Sequence, residues 1–150
     1  MQTSDAKLGL DAVTCRGNLW LSQNMRPKTL AEVARLTLDG DSFDRCLANF
    51  LDDFYAAPNP EAFADTPPLL APKLGETGRV QDAYLAATAE ELVRAHQLCV
   101  PSWTTAEARS LHRPWFASPL AALRAVLLLE SPAAFRARNL FVSENALTRV

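Results

Sequence analysis

The segment 43–54 repeats large apolar residues at the spacing of an α-helix, and this pattern constrains the fold most strongly. The apolar positions fall at offsets 0, 3, 4, 7, 8 and 11, which places them on one helical face over three turns. Charged residues take the other face, and Asp41 or Ser42 precedes the run as an N-cap. The pattern predicts an amphipathic helix that buries Phe43, Cys46, Leu47, Phe50, Leu51 and Phe54.

Helix-start signals predict further helices on both sides of this segment. Thr29 and Glu32 form a capping box that predicts a helix over 30–38, which Gly40 ends. A third helix is expected over 79–97, and a second capping box, Thr104 to Glu107, predicts a short helix to position 111. The buried stripe expected on the third helix is Val80, Tyr84, Ala87 or Thr88, Leu92 and Ala95.

The C-terminal third carries two serine–proline pairs that are typical of helix starts. Ser118-Pro119 precedes the segment 120–130, which is apolar nearly all round and therefore predicts a buried central helix. Ser131-Pro132 predicts another short helix that holds Phe135. The run 140–142 is short, apolar and compatible with an extended conformation, and Ser143 is a candidate cap for a last helical turn.

Five of the ten prolines lie between positions 57 and 78, and this density argues against a helix there. Leu69 and Leu70 are the expected anchors of this long loop on the core. The fold prediction is therefore all-α: a single compact domain of about six helices with a proline-rich loop after the second.

The composition fits this fold and excludes several classes of protein. The chain has 150 residues, of which 49% are hydrophobic and 21% charged, so whole-chain disorder is excluded. No apolar run approaches the ~20 residues of a membrane span, because Arg124 interrupts the longest one. The net charge of −2 gives no general attraction to nucleic acid.

The first 24 residues keep no sustained helical or strand period. Two interpretations stay open. Either the native start is Met25 and residues 1–24 are a tail or an upstream translation artefact, or these residues form an arm that packs through the segment 19–21. The domain prediction is a tail over 1–24 and a helical domain over 25–150. No signal-peptide pattern is visible, and three widely spaced cysteines form no disulfide framework, so a cytoplasmic location is expected.

No motif for catalysis, metal binding or a cofactor is recognisable, and none of the three is expected. His96 and His112 are the only histidines, too few for a typical zinc site. The stretch 29–47 resembles a helix-turn-helix, but the candidate recognition helix carries carboxylates that oppose DNA phosphates.

Charge and aromatic residues are unevenly distributed, and this suggests a binding role. Residues 29–65 hold eight acidic residues and two arginines, whereas residues 101–150 hold six arginines and three glutamates. Aromatic residues and arginine dominate interface hot spots, and the turn at 113–116 is the segment most expected to protrude. The candidate partner-binding residues are Asp44, Asp52, Asp53, Trp115, Phe116, Arg136 and Arg138.

Several stretches after Met25 resemble a family of small uncharacterised bacterial proteins. They are Thr29–Ala34, Gly40–Asp44, Leu51–Tyr55, Arg113–Phe116, Glu130–Pro132, Phe135–Asn139 and Phe141–Leu147. Members of that family are often encoded beside nucleotidyltransferase-like toxins of toxin–antitoxin or phage-defence type. The resemblance implies an antitoxin-like or accessory partner of such a toxin, and it supplies no catalytic residue.

The leading hypothesis is thus a non-enzymatic protein that covers the active site of a co-encoded toxin. The acidic helix would then mimic substrate phosphates, or the arginine-rich and aromatic C-terminal region would cover the site. One alternative is a nucleic-acid-binding transcriptional regulator that uses the C-terminal arginines. Another is an enzyme whose site is assembled in space around His96 or His112.

Overall fold

A computed structural model describes residues 26–149, and within them it confirms the mostly helical fold. The expected tail 1–24 and the start at Met25 lie outside the described residues. Short 3-10 turns lie at Pro60–Phe63, Ser102–Thr105, Glu107–Arg109 and Ala121–Leu123. The α-helices are α1 (Leu30–Leu38), α2 (Phe43–Ala56), α3 (Ala71–Leu74), α4 (Glu76–Ala95), α5 (Arg124–Glu130) and α6 (Ala133–Arg136), and the strands are β1 (Trp115–Phe116) and β2 (Leu140–Phe141).

Helices α1 and α2 form where their local signals predict them. The Thr29 hydroxyl accepts from the Glu32 amide at 3.1 Å, and the Glu32 carboxylate accepts from the Lys28 amide at 2.6 Å. Ser42 caps α2, and Gly40 adopts a φ of +109° between the helices. All six predicted apolar residues of α2 are buried.

The proline-rich segment contains more helix than predicted. Pro60 and Pro72 each occupy the first turn of a short helix, where a missing amide hydrogen costs nothing. Helix α4 begins at Glu76, three positions before the predicted start. Leu70 is fully buried, whereas Leu69 is 40% exposed, so only one of the two expected anchors reaches the core.

Helix α4 is the central helix of the fold. One face packs against α1, α2 and Trp103, and the other packs against α6 and β2. Small residues let neighbours approach it on both sides. Of the predicted stripe, Val80 and Tyr84 are half-buried and Ala95 is exposed. The fully buried α4 side chains are Asp82, Ala83, Leu85, Ala86, Ala87, Thr88 and Ala89.

The prediction of a buried central helix over 120–130 is wrong in its burial, although helical structure covers 121–130. The α-helical part begins at Arg124, and Leu127 is the sole buried residue between 120 and 130. The apolar composition indicated a need for burial, but the described chain places no element over most of this surface.

Four cap predictions are also wrong, because the hydroxyl groups bond elsewhere. The Ser118 hydroxyl accepts from the Leu120 amide at 3.3 Å, ahead of the 3-10 turn that begins at Ala121. The Thr104 hydroxyl donates to the carbonyl of Pro101, and 3-10 turns replace the expected helix. The Ser131 hydroxyl donates to the Leu140 carbonyl at 3.0 Å and accepts from the Val142 amide at 3.2 Å, so it ties down β2 instead of capping α6. The Ser143 hydroxyl accepts from the Asn145 amide in a turn that does not become a helix.

Strands β1 and β2 pair in parallel, with Trp115 opposite Leu140 and Phe116 opposite Phe141. The segment predicted to protrude at Trp115 and Phe116 is therefore held in a small sheet. The Phe116 ring stacks on Phe141 with centroids 5.1 Å apart. None of the helices within residues 26–149 has the length and apolar character needed to cross a membrane.

Candidate functional site

A groove of about 630 Å³ lies between α2, α4 and the C-terminal segment. We call it the front groove. Its surface is mainly apolar, with charged side chains at its edge. Its lining includes Phe43, Asp44, Leu47, Tyr84, Trp115 and Arg149.

The sheet and the core place the two large aromatic residues of the groove. Trp115 is held by the bond from its amide to the Asn139 carbonyl at 2.8 Å, and its side chain is 36% exposed. Tyr84 packs edge-on against Phe43 and Phe135, with centroids 6.0 and 4.9 Å away. Burial, with a smaller effect of the Asp44 charge, raises the pKa of Tyr84 to about 12.

Asp44 is exposed at the groove and makes no ion pair within residues 26–149, unlike the other aspartates proposed for partner binding. Asp52 pairs with Arg149 at 2.7 Å, and this hydrogen bond lowers the pKa of Asp52. Asp53 pairs with Lys28 at 2.9 Å and with Arg26 at 3.1 Å. Local cations therefore balance much of the predicted acidic surface, and Asp44 keeps its charge available.

The two predicted arginines of the last helical segment have opposite environments. Arg136 is exposed and does not line the front groove. Arg138 is 5% exposed and pairs with Glu90 at 2.6 Å. It also donates to the carbonyls of Ala134 and Thr104, both at 2.8 Å. Arg138 is therefore a core residue in this conformation and cannot contact a partner.

Sequence reasoning missed a second buried ion pair, between Asp82 and Arg109. The Asp82 carboxylate accepts from the amides of Leu70 and Ala71 at 2.7 and 3.1 Å. Burial raises the pKa of Asp82 despite these bonds and lowers the pKa of Arg109. The Asp82 carboxylate and the Arg109 guanidinium thus hold the proline-rich segment against α4.

A second surface is the segment 118–130, which we call the apolar arm. It contributes five of the nine large hydrophobic residues that are exposed in the described chain. The Arg124 guanidinium lies 5.3 Å from the centre of the Phe116 ring at its base. The exposed side chains are Leu120 (61%), Leu123 (41%), Val126 (43%), Leu128 (45%) and Leu129 (82%).

Within residues 26–149, His96 and His112 have different surroundings. His96 packs edge-on against Phe54 at 5.1 Å. His112 shares a cavity of about 310 Å³ with Ser110 and Asp82. A serine–histidine–aspartate site needs the carboxylate to orient the imidazole, yet Asp82 is committed to backbone amides and Arg109. Among residues 26–149, no cluster of three or more His, Cys, Asp or Glu side chains is suited to a metal ion.

Comparison with protein-family models, curated proteins and solved structures found no match for this chain. The resemblance to toxin-associated bacterial proteins therefore stays a prediction.

Proposed function

We propose that this protein is a non-enzymatic protein-binding module, an antitoxin-like or accessory partner of a co-encoded toxin. It binds an apolar segment of that partner in the front groove. The observation that carries the proposal is the groove itself, an apolar cleft with an exposed tryptophan and a carboxylate that makes no ion pair within residues 26–149.

The chemistry of the groove defines the partner segment. Phe43, Leu47 and Trp115 favour apolar side chains, since burying them is the main driving force of association. Asp44 favours a lysine or arginine beside them, because opposite charges across an interface direct and orient binding. Arg149 adds little net charge, because it is paired with Asp52.

The alternative of a nucleic-acid-binding regulator has less support. Of the six arginines in residues 101–150, Arg109 and Arg138 are buried, and Arg149 pairs with Asp52. The remaining arginines provide few phosphate contacts, whereas the affinity of such proteins depends on many.

The test begins with capture of partners by the tagged full chain in its native host. A captured protein is then purified and titrated against wild type, Asp44→Lys and the control Asp65→Lys. Asp65 is exposed but does not line the groove. We expect Asp44→Lys to weaken binding at least roughly tenfold, since like charges across an interface cost several kcal/mol, and Asp65→Lys to bind as wild type does.

Growth provides a second readout for the antitoxin-like role. If the captured protein arrests growth when expressed alone, co-expression of wild type or Asp65→Lys should restore it, and Asp44→Lys should not. Equal affinities for the two variants would exclude the groove. Capture of nucleic acid alone, or of nothing, would overturn the proposal.

A further inference from the structure

We propose that the segment 16–21, which lies outside the described residues, docks in the front groove of its own chain. A partner of the groove would then have to displace this segment before it binds. The inference concerns the same groove as the proposed function. Its test uses this chain alone, so either proposal can fail without the other.

The N-terminal segment joins the described domain at the edge of the front groove. The Arg26 guanidinium donates to the Asp53 carboxylate at 3.1 Å and lies 3.8 Å from the Asp52 carboxylate. Asp52 also pairs at 2.7 Å with Arg149, which lines the groove. The residues that precede Arg26 therefore begin beside the groove.

The segment is long enough to reach the far end of the groove. The α2 residues that line the groove begin at Phe43, about 15 Å from Asp53 along the helix axis. The chain from Arg26 to Trp20 can span roughly 20 Å, and the chain from Arg26 to Arg16 can span roughly 33 Å. Trp20 and Arg16 can therefore both lie in the groove of the same chain, where tethering gives them a roughly millimolar effective concentration.

The composition of the segment complements the surface of the groove. Positions 19–21 read Leu-Trp-Leu, three consecutive large apolar residues, and the groove is mainly apolar. Arg16 is the one charged residue in the range 12–25. Asp44 is exposed at the groove and makes no ion pair within residues 26–149. An apolar run with one cation is thus the chemistry that this groove selects.

A buried acceptor at the groove indicates a donor outside the described residues. Gln81 lines the groove, and its side-chain oxygen is buried and accepts no hydrogen bond within residues 26–149. A buried acceptor that is left without a donor carries the full cost of its desolvation. The Trp20 indole and the backbone amides of the segment 16–21 are N–H donors of the kind that this oxygen lacks.

Trypsin provides a test on the full chain, because it cleaves after lysine and arginine. Residues 1–25 contain two such sites, Lys7 and Arg16, and cleavage after Arg26 is blocked by the proline that follows it. Trypsin must take the Arg16 side chain into its own specificity pocket, so a docked segment is cleaved there only in its open state. Cleavage after Lys7 is the internal control, because Lys7 precedes the docked segment.

The first variant replaces the apolar run of the segment by Leu19→Ala, Trp20→Ala and Leu21→Ala. Cleavage after Arg16 should become at least roughly tenfold faster than in wild type, because the contacts that hold the segment in the groove are removed. Cleavage after Lys7 should keep its wild-type rate. Circular dichroism checks that the variant keeps the helical content of wild type.

The second variant changes the groove and leaves the sequence around the cleavage site intact. Asp44→Lys should accelerate cleavage after Arg16 at least roughly threefold, because it replaces an attraction by a repulsion between exposed groups. The control Asp65→Lys adds the same charge at an exposed position outside the groove and should be cleaved as wild type is.

The cleavage rates also distinguish the other occupants of the groove. Wild-type rates should be the same from micromolar to sub-millimolar concentration of the chain. Protection of Arg16 that increases with concentration would assign the segment to the groove of a second copy and overturn the proposal. Cleavage after Arg16 that neither the segment variant nor Asp44→Lys accelerates would overturn it as well.

Discussion

Arg138→Ala should destabilise this protein far more than Arg136→Ala, although both arginines lie at the end of the same short segment. The Arg138 side chain is 6% exposed, and its guanidinium holds together α4, α6 and the turn at Thr104. Its removal leaves the Glu90 carboxylate, which is only 14% exposed, without its buried cation. Two carbonyl groups also lose their donor.

The expected loss follows from these contacts. Removing one partner of a buried ion pair costs about 3–5 kcal/mol, because the other charge stays buried without compensation. Glu90 keeps its second partner, Arg94, whose side chain is 57% exposed. The lower end of the range therefore applies, and we expect about 3 kcal/mol. Arg136→Ala removes an exposed side chain and should change stability by less than about 0.5 kcal/mol.

Equilibrium urea unfolding at neutral pH, followed by circular dichroism, measures both variants. A loss below about 1 kcal/mol for Arg138→Ala, with an unchanged dependence on urea, would refute the assignment of Arg138 to the core. A double-mutant cycle with Glu90→Gln isolates the pair, and its coupling energy should exceed about 1 kcal/mol. If Arg138 instead contacted a partner, its substitution would lower affinity and leave unfolding unchanged.

Three further predictions follow from single contacts. Gly78→Ala should destabilise by about 2–3 kcal/mol in thermal unfolding, because a Cβ would lie 2.5 Å from the Leu70 carbonyl, and an unchanged melt would refute this. Arg149 lowers the pKa of Asp52, so their ion pair stabilises the folded state above pH ~4. This stabilisation is lost as the pH falls through the folded-state pKa of Asp52. Asp52→Asn should therefore make the Tm depend less steeply on pH on the acid side. Alkaline absorbance titration should show a tyrosine ionising at about pH 12 that Tyr84→Phe abolishes, and ionisation near 10 would contradict its burial.

Helices α1 and α2 were predictable because their signals are local. Thr29, Glu32 and Ser42 act on amides within a few positions, and the apolar period of α2 needs one buried side and nothing more. The apolar arm was not predictable in this way, because apolar residues all round a helix do not specify which element covers it. Helix α4 occupies the central position instead, because its alanines allow neighbouring elements to approach closely on both sides.

The front groove depends on contacts that are distant in sequence. Asp44 and Trp115 meet there only because β1 pairs with β2 and brings the C-terminal segment against α2 and α4. One missed signal was available for Arg138. It follows Ala134 by four positions and Phe135 by three, so it shares their buried face, whereas Arg136 does not.

The parallel pairing of β1 and β2 affects how the sequence of the apolar arm can vary. The arm leaves the domain directly after β1, and Ser131 fastens its far end to β2. Between these attachments Leu127 is the one side chain that reaches the interior. The arm is therefore fixed at both ends and at Leu127, so its outward residues can be exchanged without repacking the helices that keep the protein folded.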